Sequence, residues 1–162
     1  MSGPESALTR LLRAGLACGV IDGLWAVVLT VIYQGTQARL FQGIAATVFG
    51  AGMFEAGAGG ILLGVAMHFS VAFWWSAVFL LLVGRFEGLR RVLVKPGGTL
   101  AVAAIYGPII WIVMSAVVIP WLTGRPLAIT YRWWIQIAGH VVFVGLPIVW
   151  AIGPAPVRRR SG

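Results

Sequence analysis

Charged residues are scarce in this chain of 162 residues. Only 10% of the residues are Asp, Glu, Lys or Arg, against roughly a quarter in an ordinary soluble domain. Hydrophobic types make up 60% of the sequence, and its mean hydropathy is +0.96. A small soluble domain could not bury so much apolar side chain, because much of its surface stays in water. The composition therefore excludes an ordinary soluble domain and predicts a protein of the lipid bilayer.

Residue types that perform soluble-enzyme chemistry are also few: four acidic residues, two histidines and one cysteine. The single Cys18 excludes an internal disulfide. The sequence has no phosphate-binding glycine loop, no nucleophile elbow and no two carboxylates close together. Glu55 and Glu87 lie at the ends of apolar runs, where capping or surface pairing is the simpler role. These absences favour a non-enzymatic protein and predict no metal site.

The net charge of +8 has a distribution typical of membrane proteins. Lys and Arg residues lie between apolar runs or at the chain ends, not along one face. Membrane proteins use positive charge in this way to set their orientation. We therefore expect membrane lipid, and no nucleic acid, as a partner.

Four apolar runs are long enough to cross a membrane. They cover residues 11–33, 58–83, 99–122 and 133–152. At ~1.5 Å per residue, each helix would span a hydrocarbon core of ~30 Å. The first run is longer than a signal-peptide core and contains Asp22, so we interpret it as a retained helix. The pattern predicts an all-α membrane protein, a four-transmembrane-helix bundle forming one domain over residues 1–162.

The basic residues predict that both termini face the cytoplasm. Nine of them belong to the side that carries the termini and the loop between the second and third runs; three belong to the other side. The nine are Arg10, Arg13, Arg85, Arg90, Arg91, Lys95, Arg158, Arg159 and Arg160, and the three are Arg39, Arg125 and Arg132. We expect the tail 154–162, which begins at Pro154, to be disordered.

Residues 38–54 form a fifth apolar segment that is short for a span. Their apolar side chains fall on one helical face: Phe41, Ile44, Ala45, Val48 and Phe49. A fifth span would place the two basic termini on opposite sides. We therefore predict a short interfacial or re-entrant helix after the first span.

Small residues recur at four-residue spacing in the first two spans, as Gly15, Gly19 and Gly23 and as Gly60 and Gly64. Such spacing lets a neighbouring backbone approach closely. The simplest interpretation is that these two helices pack on each other. A homo-oligomer contact is the alternative.

Asp22, His68 and His140 are polar residues deep within the spans. A charged carboxylate at the bilayer centre costs at least ~2.5 to 3.5 kcal/mol, so Asp22 needs a partner or a proton. From the helical rise, the three residues lie ~17, ~15 and ~11 Å from one boundary. We predict an intramembrane polar cluster of these residues, with Gln136 one turn before His140 and with Tyr106 and Ser115 from the third span.

Three roles remain open for this cluster. Asp22 accepts a hydrogen bond from a histidine and fixes the helix register; or an Asp–His group changes protonation and serves a small proton-linked transporter or channel; or His68 and His140 bind haem axially. The last role would make haem the cofactor, whereas the first two need none.

An ordered set of motifs resembles a family of small, four-helix, uncharacterised bacterial membrane proteins. The resemblance covers about residues 10 to 153. Its motifs are the run Gly15–Gly23 containing Asp22, the stretch Ile44–Phe69 containing His68, Ile105–Pro108, Val118–Pro120, Gly139–His140 and Gly145–Pro147.

The resemblance implies a protein of the bacterial inner membrane with no catalytic residue to transfer. The resemblance also implies that related chains often carry Asn where this chain has Ser115, so that one amide of the polar cluster is missing here. From the sequence we expect an integral membrane protein with a structural or accessory role. One version of this role is a subunit of a larger respiratory or photosynthetic membrane complex, with other membrane subunits as partners.

Overall fold

Four long helices dominate the computed structural model, which describes residues 5–153. They are α1 (Ala7–Ile32), α3 (Gly57–Arg85), α5 (Gly98–Thr123) and α6 (Tyr131–Ile152), and each is long and apolar enough to cross a membrane. Two short helices, α2 (Gln37–Phe49) and α4 (Glu87–Leu93), lie between them, and the described range contains no strand. The prediction of an all-α chain with four membrane-length helices is confirmed. The predicted disordered tail, 154–162, lies outside the described residues.

Capping residues separate α2 from α1. The Thr36 hydroxyl accepts a hydrogen bond from the backbone N–H of Arg39 at 3.3 Å, which begins α2. Gly50, with a φ of 81°, ends it. A turn of 3₁₀ helix, Ala51–Phe54, then leads into α3. The segment predicted at 38–54 is therefore helical over most of its length.

The glycine face of α1 packs on α3, but its partners are bulky side chains. A Cβ atom at Gly15 would overlap the ring of Phe73, and one at Gly19 would overlap the ring of Phe69. A Cβ at Gly23 would lie 3.4 Å from Nε2 of His68. The close approach of the first two spans was predicted from these glycines. The rings that fill the groove were not.

Gly60 and Gly64 do not face α1 as the sequence interpretation assumed. A Cβ at Gly64 would overlap the backbone carbonyl of Phe41, and one at Gly60 would lie 2.5 Å from the carbonyl oxygen of Met53. Gln42 also donates a hydrogen bond to the Gly57 carbonyl at 3.3 Å. The glycines of α3 therefore seat α2 and the turn that follows it, because only a helix without side chains at these positions lets that backbone approach.

Helices α5 and α6 also approach through glycine. A Cβ at Gly107 would overlap the carbonyl of His140, and one at Gly145 would lie 2.6 Å from the carbonyl oxygen of Ala103. Each helix has a turn of π-helix shortly before a proline, at Met114–Val118 and Val141–Gly145. Proline lacks an N–H and crowds the preceding turn, and a wider turn accommodates both effects.

Arginine side chains close the end of the bundle that carries the termini. Arg13 donates to the carbonyl of Ala151 at 2.6 Å, and Arg10 donates to that of Ile152. Arg90 donates to the carbonyl of Val83 at 2.7 Å. These bonds satisfy the last carbonyls of α6 and α3, which have no partners within their own helices. Fully buried side chains fill this half of the bundle, among them Phe79, Ile148 and Ile152.

Candidate functional site

A cavity of about 350 Å³ lies between the four long helices and α2. We call it the Asp22 cavity. Its polar side chains include Asp22 from α1, His68 from α3, and Gln136 and His140 from α6. Most of the other lining residues are aliphatic or aromatic, including Leu40, Ile44, Val71, Trp75, Ile110, Trp111, Met114 and Val144. The structure therefore places four of the six residues of the predicted polar cluster around one space.

His68 is held by the backbone of α1 and not by Asp22. Its Nε2 lies 2.9 Å from the carbonyl oxygen of Gly19. A carbonyl can only accept, so Nε2 carries the hydrogen of this bond. Nδ1 lies 4.0 Å from Oδ2 of Asp22, which is too long for a hydrogen bond. The expected hydrogen bond between a histidine and Asp22 is therefore not formed at His68.

His140 is anchored in the same manner. Its Nδ1 lies 2.8 Å from the carbonyl oxygen of Gln136, one turn earlier in α6. Nδ1 is therefore the donor, and Nε2 is the nitrogen left to accept a hydrogen bond or a proton. The imidazole ring also packs on the indole of Trp111, with their centroids 4.8 Å apart. In each histidine, one ring nitrogen donates to a backbone carbonyl. The other ring nitrogen has no hydrogen-bond partner within residues 5–153.

Asp22 lacks a donor that would stabilise its charge. Its side chain is 22% exposed, and no group within residues 5–153 donates a hydrogen bond to its carboxylate. Nδ1 of His68 lies 4.0 Å from its Oδ2, and His140 lines the same cavity. A carboxylate at this depth is costly when it is charged and alone. It therefore needs a proton, a protonated histidine or a donor inside the cavity.

Three tryptophans that the sequence analysis did not include contribute to the site. The indole N–H of Trp25 donates to Oε1 of Gln136 at 3.2 Å, which fixes the amide in place. The indole nitrogens of Trp75 and Trp111 are buried and have no partner in the described range, although both residues line the cavity. Tryptophan in membrane proteins is usually found near the interface. Trp25, Trp75 and Trp111 lie away from the ends of their spans, and this unusual placement is the sequence feature that could have identified them.

Tyr106 and Ser115 were predicted to join the cluster but serve other contacts. The hydroxyl of Tyr106 donates to the carbonyl of Trp75 at 2.6 Å. The hydroxyl of Ser115 accepts a hydrogen bond from Nε1 of Trp133 at 3.1 Å. Neither residue lines the Asp22 cavity. Both bonds join two helices, α3 with α5 and α5 with α6.

A second cavity, of about 320 Å³, adjoins the first towards the end of the bundle where α2 begins. We call it the Arg132 cavity, because Arg132 is the only charged residue among the described residues that line it. The two cavities share four lining residues: Ala26, Leu40, Trp111 and Gln136. The guanidinium of Arg132 lies 4.1 Å from the ring centroid of Tyr33, whose buried hydroxyl has no partner in the described chain.

The described residues offer a limited fit to haem or a metal ion. Residues 5–153 contain no group of three or more His, Cys, Asp or Glu side chains that could hold a metal. Haem bound between His68 and His140 would have to use Nδ1 of His68, because its Nε2 is engaged by Gly19. Ligation through Nε2 would require that interhelical bond to break.

Comparison of the chain with models of known protein families, with curated proteins and with solved structures finds no match. The functional argument therefore depends on the geometry of the two cavities.

Proposed function

We propose that this chain is a non-enzymatic, multi-pass membrane protein that binds a small molecule in the Asp22 cavity and links its movement to a proton. The observation that carries the proposal is that the Asp22 carboxylate, which accepts no hydrogen bond within residues 5–153, lines the same cavity as two imidazoles. Each imidazole has one ring nitrogen without a hydrogen-bond partner in that range. This group lines a cavity of about 350 Å³, which is within the range of small-molecule sites. A purely structural polar cluster would be expected to use up its own donors and acceptors.

A proton at this site changes what the cavity can hold. With a proton on Asp22 or on one of the histidines, the carboxylate is neutralised or paired, and the site loses its uncompensated negative charge. Without that proton, the site repels anions and favours cations and hydrogen-bond donors. A molecule that binds one form better than the other shifts the site towards that form, which is the thermodynamic basis of coupling.

Pyranine-loaded liposomes containing the purified protein provide the test. We expect an imposed pH gradient to collapse faster with wild-type protein than with the Asp22→Asn variant or in empty liposomes. Ser70→Ala is the matched control, because its exposed hydroxyl bonds only to the carbonyl of Ala66 within its own helix. Equal rates for wild type and Asp22→Asn would contradict the proposal.

We place the chain in the bacterial inner membrane with both termini in the cytoplasm. The excess of Lys and Arg near the termini and in the loop after α3 supports this orientation, and the family resemblance supports the membrane. In this arrangement the end closed by arginines faces the cytoplasm, and the Arg132 cavity faces outwards.

In the same arrangement α2 is re-entrant from the outer side. Its Phe41 packs on Gly64, seven residues into α3 and so ~10 Å below the start of that helix. This packing below the start of α3 supports a re-entrant helix over one that lies flat on the surface.

Cysteine labelling in spheroplasts tests the orientation. In a Cys18→Ala background, a membrane-impermeant maleimide should label Gly52→Cys in intact spheroplasts. Gly88→Cys should react only after permeabilisation. A Cβ at either glycine meets no atom of residues 5–153 within 4 Å, so neither change should disturb the fold. The reverse labelling pattern would overturn the proposed orientation.

A second candidate is an accessory subunit of a larger membrane complex. Large aromatic side chains on the outside of the bundle favour it: Trp74 is 65% exposed, Trp121 82% and Trp150 68%. Such surfaces fit either lipid or another membrane subunit. Purification in mild detergent followed by mass spectrometry separates the two, since a single species without other subunits would exclude the accessory role.

A further inference from the structure

The Arg132 cavity and the Asp22 cavity form adjoining spaces of opposite character. The first contains one cation and no acid within the described chain, and the second contains Asp22 and a largely apolar lining. Trp111 and Gln136 line both, so they stand at the junction. A molecule that fills both spaces must have a charged end and an apolar body.

We propose that the two cavities together bind an anionic amphiphile, a monocarboxylate with an elongated apolar body, with its head at Arg132. This inference rests on the proposed function in one respect, the use of the Asp22 cavity as a binding site.

The guanidinium of Arg132 is positioned to receive a carboxylate. Its Nε donates to the hydroxyl of Tyr131 at 3.2 Å, and its Cζ lies over the ring of Tyr33, 4.1 Å from the centroid. Both contacts orient the side chain and leave the two terminal nitrogens available. Paired terminal nitrogens of arginine form the bidentate bonds that carboxylates accept.

Unpartnered donors beside Arg132 favour the same head group. The Tyr33 hydroxyl and the Trp111 indole N–H are buried without a partner in the part of the chain that the structure describes, and both residues line the Arg132 cavity. Buried donors normally find an acceptor. Carboxylate oxygens accept several hydrogen bonds at once, so one head group can serve the guanidinium and a neighbouring donor.

The apolar body of the ligand, and not its carboxylate, should enter the Asp22 cavity, because the carboxylate of Asp22 repels the carboxylate of the ligand. The lining of that cavity is largely aliphatic, with Ile44, Val71 and Val144 on three different helices. Arg132 and His140 are eight residues apart in α6, which corresponds to ~12 Å along the helix. A ligand that reaches from the head site into this cavity is therefore elongated, as a medium-chain fatty acid is.

Binding of decanoate to the full chain in nanodiscs tests the proposal, with empty nanodiscs as the blank for lipid partitioning. We expect decanoate to bind wild-type protein, and Arg132→Gln to weaken its affinity about tenfold or more. Arg125→Gln is the matched control, because Arg125 is exposed at the same end, as Arg132 is, but lines neither cavity. Methyl decanoate, which has the same body without the charge, should bind wild type and Arg132→Gln equally.

Two further comparisons make the outcome decisive. Trp111→Phe should also weaken decanoate binding, since it removes an unpartnered donor and keeps an aromatic ring. Equal decanoate affinity in wild type, Arg132→Gln and Arg125→Gln would overturn the proposal. Arg132-dependent binding of decyl phosphate in the absence of decanoate binding would overturn the carboxylate class.

The Asp22→Asn variant distinguishes this proposal from the proposed function. We expect it to bind decanoate through Arg132 and to lose proton movement in liposomes. Arg132-dependent binding together with unchanged proton movement would remove the proton-linked function and leave the ligand class standing. If Asp22→Asn lost proton movement but the wild-type protein did not bind decanoate, the proton-linked function would stand and the proposed ligand class would be removed.

Discussion

The imidazole of His68 donates its Nε2–H to the carbonyl oxygen of Gly19, 2.9 Å away, while the Asp22 carboxylate one turn further along α1 lies 4.0 Å from the other ring nitrogen. The hydrogen bond of His68 that links α3 to α1 is therefore made with the backbone. Asp22 is left free of that structural task, which separates its effect on stability from its effect on function.

Replacing Asp22 with Asn should leave the stability of the protein unchanged or slightly raised. The substitution removes a group that is costly to charge at this depth and breaks no hydrogen bond of the described chain. Thermal unfolding in detergent measures this, and equal or higher Tm is the expected result. A Tm well below that of wild type would show that the carboxylate is a structural partner after all.

Replacing His68 with Leu should destabilise the protein, because the bond to Gly19 is lost. Interhelical hydrogen bonds in membranes contribute ~0.6 kcal/mol on average and ~1.7 kcal/mol at most, so we expect a loss in that range. Ser70→Ala on the same helix is the control, since its hydroxyl bonds only within α3. Steric-trapping measurements of the unfolding free energy should separate the two variants. Equal values would mean that the Gly19 contact does not contribute.

Alanine at Gly64 should destabilise the seat of α2. A Cβ there would overlap the backbone of Phe41, and relieving such overpacking typically costs ~1 to 3 kcal/mol. Gly59→Ala is the matched control on the same helix, because a Cβ at Gly59 meets nothing within 4 Å. The control should be neutral or stabilising, since alanine is the better helix former. Limited proteolysis near Gly50 should also become faster in Gly64→Ala alone if α2 is displaced.

The number and type of the long helices could be predicted from the sequence because run length and composition determine them. The partners of the glycines could not. Spacing shows that Gly15 and Gly64 permit a close approach, but not that Gly15 receives the ring of Phe73 or that Gly64 receives the backbone of α2. That choice depends on the rotation of each helix about its axis, which is set by all of its neighbours together.

The candidate site shows the same division. Depth along the helix predicts similar levels for Asp22, His68 and His140, since the rise per residue is fixed, and all three line the Asp22 cavity. The hydrogen-bond partners of these residues could not be predicted. Every residue has a backbone carbonyl, so the sequence does not single out that of Gly19 as an acceptor. In the sequence, Arg132 contributes only to the charge count that predicts the orientation. Its place at a cavity depends on how α1 and α6 pack together, which the sequence pattern does not give.

Removing the arginine caps should loosen the end of the bundle that carries the termini. In an Arg10→Gln, Arg13→Gln double variant, the carbonyls of Ala151 and Ile152 lose their charged donors. At ~1 kcal/mol for each partly exposed bond, we expect a loss of ~2 kcal/mol in unfolding free energy. Hydrogen exchange of the last turn of α6 should rise as well. Arg85→Gln serves as the control at the same end, because the structure gives its side chain no hydrogen bond within residues 5–153.

Substitutions of Ser115 test whether the hydrogen bond between α5 and α6 needs serine itself or any side chain that can accept. Its hydroxyl oxygen, within the π-helical turn of α5, accepts a hydrogen bond from the indole N–H of Trp133 at 3.1 Å. Ser115→Ala leaves that donor without a partner and should cost ~1 kcal/mol in unfolding free energy. Ser115→Asn, which keeps a side-chain acceptor in the form of an amide oxygen, should recover most of that loss. If Asn were as destabilising as Ala, the Trp133 bond would depend on the small size of serine, and acceptor chemistry alone would not explain the contact.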